Sequence, residues 1–110
     1  MNISIITFTE NGTKLAEKIR QAFVNTKTEE AKNLGLSLSD WTRQQFAEKN
    51  AIVVIGACGI AVRMIAPFVS DKLSDSPVVV ADEAGTFVIP LLSGHVGGAN
   101  ELAEQIAGQI

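Results

Sequence analysis

Five consecutive apolar residues, Ala51-Ile52-Val53-Val54-Ile55, run without any alternation of apolar and polar positions. A strand with one face in water alternates. A strand covered on both faces does not, and such double cover comes from helices packed on each side of a parallel sheet. The run therefore predicts the centre of a mainly parallel sheet in a three-layer αβα domain, and the rest of the chain must supply the covering helices.

The remaining pattern does so. Ile3 to Phe8 is short, β-branched and closed by Thr9-Glu10-Asn11-Gly12, as expected of a buried strand and a turn. From Thr13 the period changes: Leu15, Ala16, Ile19, Ala22 and Phe23 recur at helical spacing while Lys14, Glu17, Lys18 and Arg20 face outward. The polar stretch after Asn25 predicts a short helix from Thr28 to Leu34, ended by Gly35. Ser39 or Asp40 can cap the next helix, which carries Trp41 and Phe46 and stops at Lys49-Asn50. Ile60 to Phe68 reads as a helix disturbed by Pro67. Pro77–Ala81 and Thr86–Ile89 read as two further strands, joined through Asp82-Glu83-Ala84-Gly85 as an antiparallel terminal hairpin in which Gly85 takes positive φ. A last helix buries Ala99, Leu102, Ala103 and Ile106.

With 110 residues, of which 46% are apolar and 19% charged, the chain suffices for one domain with a core and for no second one. A net charge of −3 has the wrong sign for a protein held by phosphate backbone, so nucleic acid is not an expected partner. The single Cys58 cannot form an internal disulfide, which points to a reducing, cytoplasmic setting, and it reads as a small buried hydrophobe. The first residues have no basic leader pattern, and no apolar run approaches the ~20 residues of a membrane helix. One His and one Cys make no metal constellation.

Two glycine clusters remain as candidates for chemistry. Gly56-Ala57-Cys58-Gly59 follows the central strand and opens a helix, where missing side chains let a ligand approach backbone N–H groups; Arg63, one turn on, can add a bidentate contact to a carboxylate or phosphate. The same residues also fit a plain tight turn with a solvated arginine. The second cluster packs Ser93, Gly94, His95, Gly97, Gly98 and Asn100 into eight residues before the last helix. Imidazole is the side chain most readily poised for proton transfer near neutral pH, so His95 is the leading acid–base candidate, with Ser93, Asn100 and the loop N–H groups available to carbonyl oxygens. The alternative is a histidine satisfying the loop, with Asn100 capping the helix. Asp82 and Glu83 can act as a carboxylate pair or simply as solvated turn formers. The hairpin places Asp82 and His95 at opposite ends of the sheet, which argues against a Ser-His-Asp triad.

The wording Gly59-Ile60-Ala61-Val62-Arg63-Met64-Ile65-Ala66-Pro67, together with Asp82-Glu83-Ala84-Gly85 and Leu91-Leu92-Ser93-Gly94-His95-Val96-Gly97-Gly98-Ala99-Asn100, closely resembles the N-terminal region of the CbiG family of cobalamin biosynthesis proteins, from about residue 51 to 107. The resemblance implies the activity of a cobalt-precorrin 5A hydrolase, which opens a δ-lactone and expels acetaldehyde to give cobalt-precorrin-5B. It implies no external cofactor, because cobalt arrives inside the corrinoid substrate. For that reaction His95 is assigned as the catalytic acid or base, with the N–H groups from Gly94 to Gly98 holding an oxyanion or a substrate carboxylate. Gly56, Gly59, Arg63, Asp82, Glu83, Ser93, Gly94, Gly97, Gly98 and Asn100 are then substrate-binding candidates, several of them suited to the many carboxylates of a precorrin. Family members continue into further domains, so the chain reads as an N-terminal portion whose partner is the downstream part of the same protein. Two other readings stay open: a non-catalytic domain for corrinoid recognition or interdomain docking, and a nucleotide-binding α/β domain suggested only by glycines at helix starts.

Overall fold

A computed structural model describes residues 1–95 and 97–110. Strands β1 (Ile3–Thr7), β2 (Thr26–Glu30), β3 (Ala51–Ile55), β4 (Val78–Ala81) and β5 (Val88–Leu92) form one sheet in the order β2-β1-β3-β4-β5. The β1–β2, β1–β3 and β3–β4 pairs are parallel, and β4–β5 is antiparallel. The non-alternating run is the central strand β3, as its pattern predicts, and all five of its residues are buried.

Period-2 geometry sends alternate side chains of each strand to opposite layers. Ile3, Ile5, Val53, Ile55 and Val79 pack with Ala16 and Ile19 of α1 (Glu10–Ala22) and with Leu102, Ala103 and Ile106 of α4 (Ala99–Gln109). Ile6, Ile52, Val54, Val78 and Val80 pack with Trp41 of α2 (Leu38–Glu48) and with Ala61, Met64 and Ile65 of α3 (Cys58–Ile65). Each fully buried Val or Ile contributes about 1.5–3 kcal/mol. The apolar layers also carry a polar tie: Gln45 Oε1 of α2 accepts from Ser4 Oγ (2.7 Å) and from Asn50 Nδ2 (2.8 Å), all three buried. Among the described residues no helix is long and apolar enough to cross a membrane.

Several local expectations are corrected. The polar stretch after Asn25 forms the edge strand β2 with a single 3-10 turn at Ala31–Asn33, in place of a helix over Thr28–Leu34. Its helix-forming Lys and Glu residues are what an exposed edge strand needs to resist further pairing, and Lys27 and Glu29 face each other at 3.5 Å on one side of the strand. Helix α1 starts at Glu10, because Thr9 is the cap and its Oγ1 accepts from Gly12 N (2.9 Å). The apparent Asn-Gly turn is thereby absorbed into the helix: a Cβ on Gly12 would meet Ile55 Cγ2 at 3.3 Å, so Gly12 is what lets α1 start against the end of β3. Ser37, not Ser39 or Asp40, caps α2, while Lys49 in the left-handed region ends it. Pro67 does break α3, which passes into a 3-10 turn at Ala66–Phe68. Cys58 is exposed at the first position of α3 rather than buried.

Candidate functional site

In open α/β sheets ligands bind outside the carboxyl ends of the strands, at the point where successive crossovers leave to opposite faces. Here that point lies between β1, which feeds α1 on one layer, and β3, which feeds α3 on the other. A crevice of about 310 Å³ lies there, lined by Phe8 and Thr9 after β1, Ile55, Gly56 and Ala57 at the end of β3, Ile60 of α3, and Asp82 and Glu83 after β4.

Several groups in and beside the crevice have a structural reason for their position; Gly59 and Arg63 lie beside it and are not part of its lining. Gly56 donates its N–H to Ala81 O (2.9 Å), and the Phe8 ring lies against it, 3.2 Å from where a Cβ would stand. Ala57 caps α3 without any side-chain hydrogen bond, so the first N–H groups of this helix are not consumed by a cap as those of α1 and α2 are. Arg63 is exposed, and because helical side chains lean toward the N-terminus its guanidinium returns to the start of α3, with Nη1 3.6 Å from the Cβ position of Gly59. Among the described residues it makes no ion pair. Asp82 closes the turn: its Oδ1 accepts from Phe87 N at 2.7 Å, and this bond is the main cause holding its carboxyl below the usual aspartate range. Gly85 takes φ +72° and donates to Asp82 O (3.0 Å), as the hairpin chemistry predicts. Glu83 is exposed and accepts a hydrogen bond from Thr9 Oγ1, a residue 74 positions away.

The second cluster lies at the other end of the sheet. Leu92, at the end of β5, pairs with Val78 at the start of β4, so the Ser93–Asn100 loop leaves from the amino-terminal edge. Strand β3 spans five residues between the two edges, about 16 Å at 3.3 Å per residue. Gly56, Gly59, Arg63, Asp82 and Glu83 therefore belong to one edge, and Ser93, Gly94, His95, Gly97, Gly98 and Asn100 to the other. The separation of Asp82 from His95 expected from the hairpin is what the pairing gives.

Most of this loop is committed to its own packing. Ser93 has φ +57° and donates its hydroxyl to Asp75 O (3.0 Å). Its carbonyl accepts from Ala99 N (3.1 Å), and the Gly94 carbonyl accepts from Asn100 N (2.9 Å), so two N–H groups at the start of α4 are already used. Asn100 does not cap α4. Gly98 does, at φ +90°, while the Asn100 side chain lies over Gly94 with Oδ1 2.6 Å from the Cβ position. A Cβ on Gly97 would fall 2.5 Å from Ser93 Cβ and 2.8 Å from Ser93 O. The imidazole of His95 is exposed and forms no hydrogen bond or ion pair among the described residues. Val96, whose N–H is one of the loop N–H groups singled out in the sequence, lies outside the described residues.

Phe8, Thr9, Ile55, Ala57 and Ile60 line the crevice without having been site candidates in the sequence, and Thr9 is the one among them with a polar side chain. Thr9-Glu10-Asn11-Gly12 looks like a turn, and its available signal was the Thr-x-x-Gly spacing of a cap before the Leu15–Ile19 periodicity. No group of metal-ligating side chains occurs among the described residues.

The family model for the N-terminal region of cobalamin synthesis protein G matches residues 40–110. The cobalt-precorrin-5A hydrolase of Salmonella typhimurium is 40% identical over 116 residues, covering 99% of this chain and 33% of that protein. The enzyme of the same name from Priestia megaterium is 46% identical over 65 residues, covering 59% and 17%. A crystal structure of a cobalamin biosynthesis protein G homolog from Sulfolobus solfataricus superposes with a TM-score of 0.75 at 26% identity, covering 97% of this chain and 33% of that one. The chain thus spans about a third of the length of the first of these curated relatives and of the solved structure.

Proposed function

The chain belongs to the cobalamin synthesis G N-terminal family, and from that premise we propose that it serves as the N-terminal domain of a cobalt-precorrin-5A hydrolase in cobalamin biosynthesis. The reaction opens the δ-lactone of the cobalt-corrinoid substrate and releases acetaldehyde to give cobalt-precorrin-5B. It needs a base to activate water, donors for the resulting oxyanion, and proton transfers around the cleaved carbon–carbon bond. It needs no external cofactor, since the cobalt is part of the substrate. Further domains of the same protein complete the enclosure of so large a macrocycle.

The observation that carries the placement of the site is the crevice at the carboxyl ends of β1, β3 and β4. It combines an apolar floor of Phe8, Ile55 and Ile60 with the open start of α3, beside which Arg63 offers a cation to a substrate carboxylate. Its other polar groups are Thr9, Asp82 and Glu83. One specific observation favours a second placement. The loop at the amino-terminal edge is held by close packing at Gly94 and Gly97 and displays the exposed side chain of His95, which has no partner among the described residues, a suitable arrangement for an acid or base that meets substrate held by another domain.

Acetaldehyde released from cobalt-precorrin-5A under anaerobic conditions tests the activity, measured with this chain and with a longer form of the protein that matches the relatives' length. Release by both places the chemistry on these residues, and release by the longer form alone makes this domain one part of a composite site. Release by neither, with intact substrate and folded protein, defeats the proposal. His95→Ala separates the two placements: loss of turnover with binding intact favours the loop, and unchanged turnover favours the crevice.

A further inference from the structure

Resting on the crevice reading, we infer that Glu83 is the proton acceptor for the water that opens the lactone, and that Thr9 is its positioning residue. Of the two acids in the crevice, Asp82 is spoken for: its carboxylate holds the turn through Phe87 N, and the same bond holds its carboxyl below the usual aspartate range. Glu83 has no part in closing that turn, which Asp82, Gly85 and Phe87 already fix. Nor does α1 need Glu83, because its cap bond runs from Gly12 N to Thr9 Oγ1. The hydroxyl proton of Thr9 is nevertheless given to Glu83 Oε2. Thr9 follows β1 and Glu83 follows β4, the two strands flanking β3, so the bridge crosses above the end of β3 at the crevice.

Thr9 is itself firmly held. Its carbonyl accepts from both Thr13 N (3.0 Å) and Thr13 Oγ1 (3.1 Å), and Thr13 Oγ1 is hydrogen-bonded to the buried Thr7 Oγ1 (2.9 Å). A carboxylate fixed through one oxygen by such a chain keeps the other for a water, which is the arrangement a general base requires. In the step itself, Glu83 takes one proton from water as the water oxygen bonds to the lactone carbonyl carbon. The tetrahedral oxyanion then re-forms the carbonyl as the ring C–O bond breaks, and the proton on Glu83 passes to the departing alkoxide. One water is consumed, one carboxyl and one hydroxyl group are formed, and no electrons change hands. The charged groups facing Glu83 are Asp82 from its own turn and Lys14 and Lys18 of α1, which share a neighbouring hollow with it.

The test uses whichever form of the protein releases acetaldehyde. Glu83→Gln keeps an oxygen for Thr9 and is expected to lower kcat by about 10²-fold or more with KM nearly unchanged. Its kcat should also lack the acid limb of the wild type, in which rate falls tenfold per pH unit below the carboxylate pKa. Thr9→Ser, which retains both hydroxyl bonds, should recover most of the kcat that Thr9→Val loses. Thr9→Val should lose about tenfold in kcat while the acid limb persists. Glu83→Asp should keep that limb at reduced rate, which separates a lost base from a disturbed fold. A Glu83→Gln variant within threefold of wild-type kcat, one altered only in KM, or one that keeps the acid limb overturns the inference. A wild type that releases no acetaldehyde defeats the proposed activity, and this inference with it.

Discussion

At Gly97 a Cβ would stand 2.5 Å from Ser93 Cβ and 2.8 Å from the Ser93 carbonyl oxygen, whereas at Gly59 the nearest atom is Arg63 Nη1 at 3.6 Å. The first spacing excludes any side chain, and the second leaves ordinary room for one. The two clusters look alike in sequence, each a glycine-rich stretch that opens a helix, yet glycine does different work in them. Between Ser93 and Asn100 it permits a loop to fold on itself and hand its carbonyls to the first N–H groups of α4. At Gly56–Gly59 the start of α3 carries no capping side chain. A dense run of glycines therefore reports packing as readily as ligand approach, and the sparser cluster is the one that borders the crevice.

The strongest way to break this comparison is Gly97→Ala. The atoms in the way are a backbone oxygen and a Cβ of Ser93, neither of which moves unless the loop does, and Ser93 is tied in turn to Asp75 O. Overpacking of this kind costs about 2–3 kcal/mol. Urea unfolding should show a lower midpoint at unchanged slope. A midpoint equal to wild type would mean the loop is not packed in this way, and its glycines would then call for a binding explanation.

Gly94→Ala should cost less, about 1 kcal/mol, because the obstructing Oδ1 belongs to the Asn100 side chain, which can turn aside. Asn100→Ala removes that obstruction beforehand. The double variant Gly94→Ala/Asn100→Ala should therefore be more stable than the sum of the single changes by at least about 0.5 kcal/mol. Strict additivity in that cycle would show that Asn100 does not rest on Gly94.

How far the sequence reveals this molecule follows from where the information is local. The unbroken apolar run Ala51–Ile55 was sufficient for a central buried strand, and the Asp82–Gly85 chemistry for an antiparallel hairpin; both are visible within a few neighbouring residues. Strand β2 was not legible, because Thr26–Glu30 has the composition of a solvent-facing helix and becomes a strand only through pairing with β1. The same limit applies to the site. Gly56, Asp82 and Glu83 were recognisable one by one, but their meeting depends on β1, β3 and β4 being neighbours. The Thr9 bridge to Glu83 spans 74 positions and leaves no local trace. His95 was singled out by its rarity and its glycine neighbours, a signal that packing at Gly94 and Gly97 also produces.

The smallest expected effect sharpens the comparison from the other side. Gly59 lies inside α3 with no positive φ and no atom closer than 3.6 Å to a new Cβ, so Gly59→Ala removes backbone freedom from the unfolded chain without straining the fold. Stability should rise by about 0.4–1 kcal/mol. A glycine whose loss stabilises the protein is not kept for packing. If substrate approaches the start of α3, the same methyl group should raise KM, because it stands where the substrate and Arg63 would meet. A rise in midpoint together with a rise in KM would assign Gly59 to substrate access; a rise in midpoint with KM unchanged would move the substrate away from this helix start and toward the edge that displays His95.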